Sequence, residues 1–169
     1  MTTLDALNAA GQSSFVATLG DIFERSPWIP ARTWTQRPFG SVDALHAAMC
    51  SVVRAASYDE RVALIAAHPD LVGRAARNGT LTPSSREEQA AAGLDRLGPA
   101  EIATFNELNA AYRERFGFPF VICVRENRKD AIVRGLRERV RNARDAEIGT
   151  AIAEIEKIAR LRLFDLVRA

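Results

Sequence analysis

Residues 99–124 read PAEIATFNELNAAYRERFGFPFVICV, and this stretch decides the fold class. Pro99 suits the first turn of a helix, where its missing N–H costs nothing, and Gly117 suits the residue just past a helix end. The run between them reads as one helix closing near Phe116. From Phe118 to Val124 the chain stays apolar but carries Pro119, so the helix does not continue. That segment reads as a short extended piece passing through a core. Helical patterns lie on both sides of it. The expectation is an all-α, single-domain multi-helix bundle over 1–169, with one short extended segment near 118–124.

Upstream, Ser14 to Glu24 places Phe15, Leu19, Ile22 and Phe23 on one helical face. Pro27 opens a short turn or helix holding Trp28 and Trp34, and a loop follows from Gln36 to Gly40. Ser41 caps a helix with Val42, Leu45, Met49, Val52 and Val53 on its apolar side. Ser57 caps the next, Tyr58 to Ala67, which Pro69 helps to end. Residues 73–84 are polar and loop-like. Ser85 with Glu88 three residues on has the form of a capping box, for a helix to Leu97. Downstream, Lys129–Arg141 and Asp145–Val167 read as two more helices.

Length and composition fit this. A chain of 169 residues with 47% hydrophobic side chains suits one domain with an adequate core. Its 23 basic and 21 acidic residues leave a net charge of +2, which points away from a nucleic-acid or membrane partner. Cys50 and Cys123 have no CxxC spacing and no histidine cluster, so no metal site is expected. The first eleven residues lack a signal-peptide pattern, no apolar run reaches membrane-span length, and the last residues form no peroxisomal tripeptide. A cytoplasmic location follows as the expectation.

Few residues are suited to chemistry. His68, in His68-Pro69-Asp70-Leu71, has the side chain best poised for proton transfer near neutral pH, and Pro69 turns it out of the helical region. The alternative is a histidine that simply ends a helix. His46 sits beside Leu45 and Met49 and reads as a satisfied, partly buried histidine. Glu87 and Glu88 are carboxylates in a helix's first turn. Projection puts Glu87 on a stripe with Ala91, Leu94 and Leu97, and plain capping or surface charge is the alternative for both. Arg162 falls on the apolar stripe of Ile148, Ile152, Ile155, Ala159 and Leu166. A guanidinium there needs an anion, either a ligand or a protein carboxylate. Non-helical backbone from Gly117 to Ile122 offers polar groups to a small amide-rich ligand or to its own neighbours. Phosphate loop, serine triad and metal-ligand cluster are all absent from the sequence.

Three segments recur in a recognisable order: His68 to Leu71; Ser85 to Gln89 leading into Ala92-Gly93-Leu94; and Leu108-Asn109 through Tyr112 to Phe116–Val121. With Leu19-Gly20, Phe23-Glu24, Ser26-Pro27-Trp28, Arg37-Pro38-Phe39, Lys157-Ile158 and Leu161-Arg162-Leu163, they make the chain resemble the decarboxylase family of urate breakdown. That family converts 2-oxo-4-hydroxy-4-carboxy-5-ureidoimidazoline (OHCU) to (S)-allantoin. The resemblance implies His68 and Glu88 as the catalytic pair, with Arg162 lining the pocket as a third catalytic residue. It selects Glu88 over Glu87. It also implies that Ser85 and Gln89 bind the ureido or ring amides, and that Pro69, Phe120, Val121 and Ile122 shape the ring pocket. A helical bundle, a homodimer, a small-molecule substrate and no cofactor or metal come with it.

Three rivals remain at this stage. A J-domain-like co-chaperone also carries His-Pro-Asp between helices, but its preceding helix is strongly basic and a lysine follows the aspartate. Here Glu60 to Ala67 precedes and Leu71 follows. The others are a non-catalytic helical relative and a decarboxylase of a related ureido acid.

Overall fold

The computed structural model describes residues 1–73 and 81–168. Among these are nine α-helices and one two-residue strand pair: β1 (Thr2–Thr3), α1 (Leu4–Ala9), α2 (Gln12–Leu19), α3 (Trp28–Thr33), α4 (Val42–Ala55), α5 (Tyr58–Ala66), α6 (Pro83–Ala91), α7 (Pro99–Phe116), α8 (Lys129–Arg139), α9 (Arg144–Leu166) and β2 (Val167–Arg168). The all-α expectation holds. Single 3-10 turns follow α3 (Trp34–Gln36) and precede α8 (Val124–Glu126). The chain divides into two compact units, Met1–Ala67 with Glu156–Ala169, and His68–Ile155. Residues of α9 up to Ile155 belong to the second unit, and those from Glu156 onward to the first.

In the first unit, local signals set the helix starts. Ser41 Oγ accepts the Ala44 N–H at 3.0 Å at the head of α4. Ser57 and Glu60 form a reciprocal box at α5, with bonds of 3.2 and 2.9 Å. The core is built from Phe15, Leu19, Phe23, Ile29, Leu45, Met49, Val53, Ala159 and Leu163, all buried. Each large apolar side chain removed from water contributes about 1.5–3 kcal/mol. Helix α2 stops at Leu19 instead of running to Glu24. Ile22, Phe23 and Glu24 are nevertheless buried, carried by successive turns that include Arg25 at φ 50. The apolar spacing marked the core correctly, while Gly20 and the Ser26-Pro27 pair disfavour continued helix. Thr2–Thr3 pair in parallel with Val167–Arg168.

In the second unit, α6 begins two residues before the position expected for its cap. Thr82 Oγ1 accepts the Ser85 N–H at 3.3 Å, and Pro83 occupies the first helical position. Ser85 is therefore inside the helix, not its cap, and α6 ends at Ala91, short of Leu97. Helix α7 runs as read and ends on Gly117 at φ 75, a left-handed turn that glycine adopts without side-chain clash. Residues 118–123 carry neither helix nor strand, and all but Ile122 are buried there among the described side chains. Tyr112 anchors an aromatic cluster, its ring centroid 4.7 Å from Phe116, 6.2 Å from Phe118 and 5.3 Å from Phe120.

Beneath that cluster lies a buried polar network. Glu147 has no solvent exposure and accepts from the Tyr112 hydroxyl, from Arg139 Nε and Nη2 at 2.9 and 2.6 Å, and from Asn142 Nδ2 at 2.8 Å. Burial first, and the adjacent carboxylate second, raise the Tyr112 pKa above the ordinary phenol value, so it remains a donor.

Both cysteines are free thiols and buried. Burial pushes the Cys50 pKa up to about 12 and the Cys123 pKa up to about 11, from an ordinary 9.0. Each folded thiol holds its proton to a higher pH than its unfolded counterpart. Their stabilising contribution is thus complete below pH 9.0 and is lost as pH climbs through 11 to 12. The urea midpoint is expected to fall between about pH 8 and pH 10. The drop should be smaller in a Cys50→Ala/Cys123→Ala variant. Equal drops in both proteins would assign the alkaline loss elsewhere.

Candidate active site

His68 follows the C-cap of α5, Ala67, and opens the second unit. Its side chain is only 6% exposed, and Nε2 is buried. Pro69 beside it is half-buried. The chain then makes a tight turn, with the Gly73 N–H donating to the Asp70 carbonyl at 3.3 Å. A Cβ on Gly73 would fall 2.6 Å from the Asp70 Cβ, so this approach requires glycine. Val72 sits at φ 56. For a β-branched residue the left-handed region costs about 1–2 kcal/mol and persists only where neighbours enforce it.

Those neighbours come from α6 and α7. Gln89 Oε1 accepts the Val72 N–H at 3.2 Å, and Asn109 Nδ2 donates to the Leu71 carbonyl at 2.8 Å. Arg113 Nε lies 2.9 and 3.0 Å from the two Asp70 carboxylate oxygens. The aspartate of the His-Pro-Asp motif thus anchors the turn to α7. Sequence reading named Gln89 but assigned no role to Asn109, Asp70 or Arg113. Asn109 and Arg113 stand four residues apart on α7, one helical turn, so both reach the same turn.

The buried face of α6 carries Ser85 and Gln89, at 5% and 6% exposure. Glu88 is half-buried and Glu87 exposed. Ser85 and Gln89, four residues apart, mark the inner face, and Glu88 lies three residues from Ser85 at its edge while Glu87 lies off it. Because Gln89 spends its oxygen on Val72, the group it can turn to a ligand is its amide N–H. Phe120 and Val121 are buried and Ile122 is half-buried. Arg139 fixes this segment by donating from Nη1 to the Val121 carbonyl at 2.9 Å, with its guanidinium 4.4 Å from the Phe120 ring centre. The Cys123 N–H donates to Glu154 Oε2 at 2.8 Å.

Arg162 belongs to the first unit. It is buried, as its place on the apolar stripe requires, and Nη1 donates to Glu24 Oε2 at 2.8 Å and to the Asp21 carbonyl at 3.3 Å. The anion that sequence reading demanded is present as a protein carboxylate, Glu24, 138 residues away. His46, in the same unit, is half-buried, and its Nε2 donates to the Glu156 carbonyl at 2.8 Å. Among the described residues, no group of three or more His, Cys, Asp or Glu side chains is placed to hold a metal ion, and no helix is long and apolar enough to cross a membrane. A cleft of about 580 Å³ beside α7 and α8, lined by Glu101, Lys129, Arg134 and Arg137 among others, includes none of the expected site residues.

Comparison with known proteins places this arrangement in context. A protein of Halalkalicoccus jeotgali named 2-oxo-4-hydroxy-4-carboxy-5-ureidoimidazoline decarboxylase is 43% identical over 97% of this chain and 91% of its own length. One of the same name from Haloferax volcanii is 44% identical over 95% of this chain and 94% of its length. The crystal structure of an (S)-allantoin synthase superposes with a TM-score of 0.77 at 28% identity, covering 99% of this chain and 54% of that one. The family model for OHCU decarboxylase matches residues 8–164. Matched over nearly its whole length, this chain belongs to the OHCU decarboxylase family.

Proposed function

We propose that this chain decarboxylates OHCU to (S)-allantoin, with His68, Glu88 and Arg162 as its catalytic residues. The observation that carries the reading is the buried polar set of the second unit. His68, Ser85 and Gln89 are each more than nine-tenths buried, and Gln89 is tied directly to the turn that follows His68. Polar groups are not buried at this density for packing alone.

The substrate carries a carboxylate and a hydroxyl on one ring carbon, next to a C=N bond. When the bond to the carboxylate breaks, its electron pair forms a C=C bond to the neighbouring carbon. The C=N pair moves onto nitrogen, which takes up a proton. The hydroxyl of the resulting enol then loses its proton, and the neighbouring carbon gains one on a single face. One CO2 leaves and one proton is consumed overall. The substrate holds its own electron sink, so the reaction draws on no cofactor. In this reading His68 moves the proton and Glu88 orients it or shares the load. Arg162 holds an anionic or carbonyl group, with Glu24 fixing its guanidinium. Ser85 and the Gln89 N–H hold the ureido and ring amides, while Pro69, Phe120, Val121 and Ile122 shape the ring pocket. The enzyme works as a homodimer in the cytoplasm.

Circular dichroism of a urate degradation mixture tests this. Urate oxidase and hydroxyisourate hydrolase generate the unstable substrate in place, with and without the protein. Rapid growth of the (S)-allantoin signal is the expected result. Decay at the uncatalysed rate to an optically inactive product, with the protein folded, would refute the activity.

A further inference from the structure

Two unfavourable features meet at one short turn. Val72 is β-branched yet lies at φ 56. Asn109 is only 7% exposed and, among the described residues, its Oδ1 has no hydrogen-bond partner. Its Nδ2 is committed to the Leu71 carbonyl at 2.8 Å. A fold selected for stability alone would place glycine or asparagine at position 72 and an apolar side chain at 109. Strain and an orphaned polar atom at the same place mark a site where geometry is enforced for use. What is enforced is the backbone that leaves His68, since Leu71 and Val72 lie three and four residues beyond it.

We propose that Asn109 is a positioning residue. By holding the Leu71 carbonyl from α7, while Gln89 holds the Val72 N–H from α6, it keeps the His68–Gly73 turn in its strained form. It thereby keeps the His68 imidazole where proton transfer needs it. The role assigned to Asn109 is exerted through the turn, by its Nδ2 on the Leu71 carbonyl, and not by contact with substrate. This rests on His68 as the proton-transfer group.

The test uses kcat and KM in the coupled allantoin assay for four variants beside His68→Asn. Asn109→Leu, close in shape but without the donor, is expected to lower kcat about 10- to 100-fold, the scale of a small misplacement of a reacting group, with KM within about threefold. Adding Val72→Gly should restore much of that loss relative to Val72→Gly alone, because glycine holds the left-handed conformation without a clamp. Asn109→Asp supplies a donor to the Leu71 carbonyl only when its carboxyl is protonated. Its kcat relative to wild type should therefore rise as pH falls, a readout that also serves if Asn109→Leu fails to fold. Unchanged kcat in Asn109→Leu, a rise confined to KM, or a pH-independent ratio for Asn109→Asp would overturn the positioning role. Full activity in His68→Asn would overturn the parent reading instead, whatever the Asn109 variants do.

Discussion

Replacing His68 with asparagine is expected to lower turnover of OHCU by about 10²–10⁴-fold, the usual contribution of one positioned acid–base group. Asparagine keeps a polar side chain of similar reach but cannot cycle a proton near neutral pH. The loss should fall on kcat, with the far-ultraviolet dichroism of the helices unchanged. Product from the residual activity should lose optical purity as well, because the proton then arrives from water on either face. These two effects separate His68 from a residue that only binds. A variant that kept wild-type turnover would return His68 to the role of a buried helix terminator. Glu88→Gln is a milder change, since the half-buried carboxylate is assigned to orient or share the proton and not to carry it alone.

Glu147→Leu is expected to cost about 3–5 kcal/mol of stability, as breaking a buried ion pair from one side does. The carboxylate has no exposure, and its partner Arg139 has only 12%. Leucine would leave the guanidinium without its counter-charge and would strip acceptors from the Tyr112 hydroxyl and Asn142. For a chain of this length that corresponds to a fall in Tm of about 10 °C or more by scanning calorimetry. Glu147→Gln should lose less, since its amide oxygen still accepts. A shift below about 1 kcal/mol would mean that water replaces the lost acceptors without penalty. The same variant should raise KM, because Arg139 also carries the Val121 carbonyl and stacks on Phe120.

Most of the fold was legible because most of its punctuation is local. The caps at Ser41 and Ser57, the Pro99 start and the Gly117 stop each act within four residues, and each helix they frame is present. The start of α6 was misread because Thr82-Pro83, a cap followed by proline at the first helical position, sits in a polar stretch that reads as loop. Correcting it moves Ser85 into the helix, and because the helix ends at Ala91, the Leu94 and Leu97 that placed Glu87 on the inner stripe are not part of it. Residues 118–123 were legible because an apolar run with proline has few alternatives in a helical protein. What the sequence could not disclose were partnerships over long separations. Nothing near Arg162 points to Glu24, and nothing near Leu71 points to Asn109, because each pairing joins a helix to a turn far away in sequence.

The placement of the aromatic side chains has an optical consequence. Both tryptophans, Trp28 and Trp34, lie in the unit that begins with Met1, whereas the packed rings of Tyr112, Phe116, Phe118 and Phe120 lie in the unit that begins with His68. Tyr58, the other tyrosine, is 43% exposed, so it adds less asymmetry signal than the buried rings. Indole emission therefore reports melting of the first unit alone, whereas near-ultraviolet dichroism, to which the indoles and the rigid ring cluster both contribute, reports melting of both. The native chain carries two built-in probes, and superposition of their unfolding curves is a direct measure of how cooperatively the units come apart.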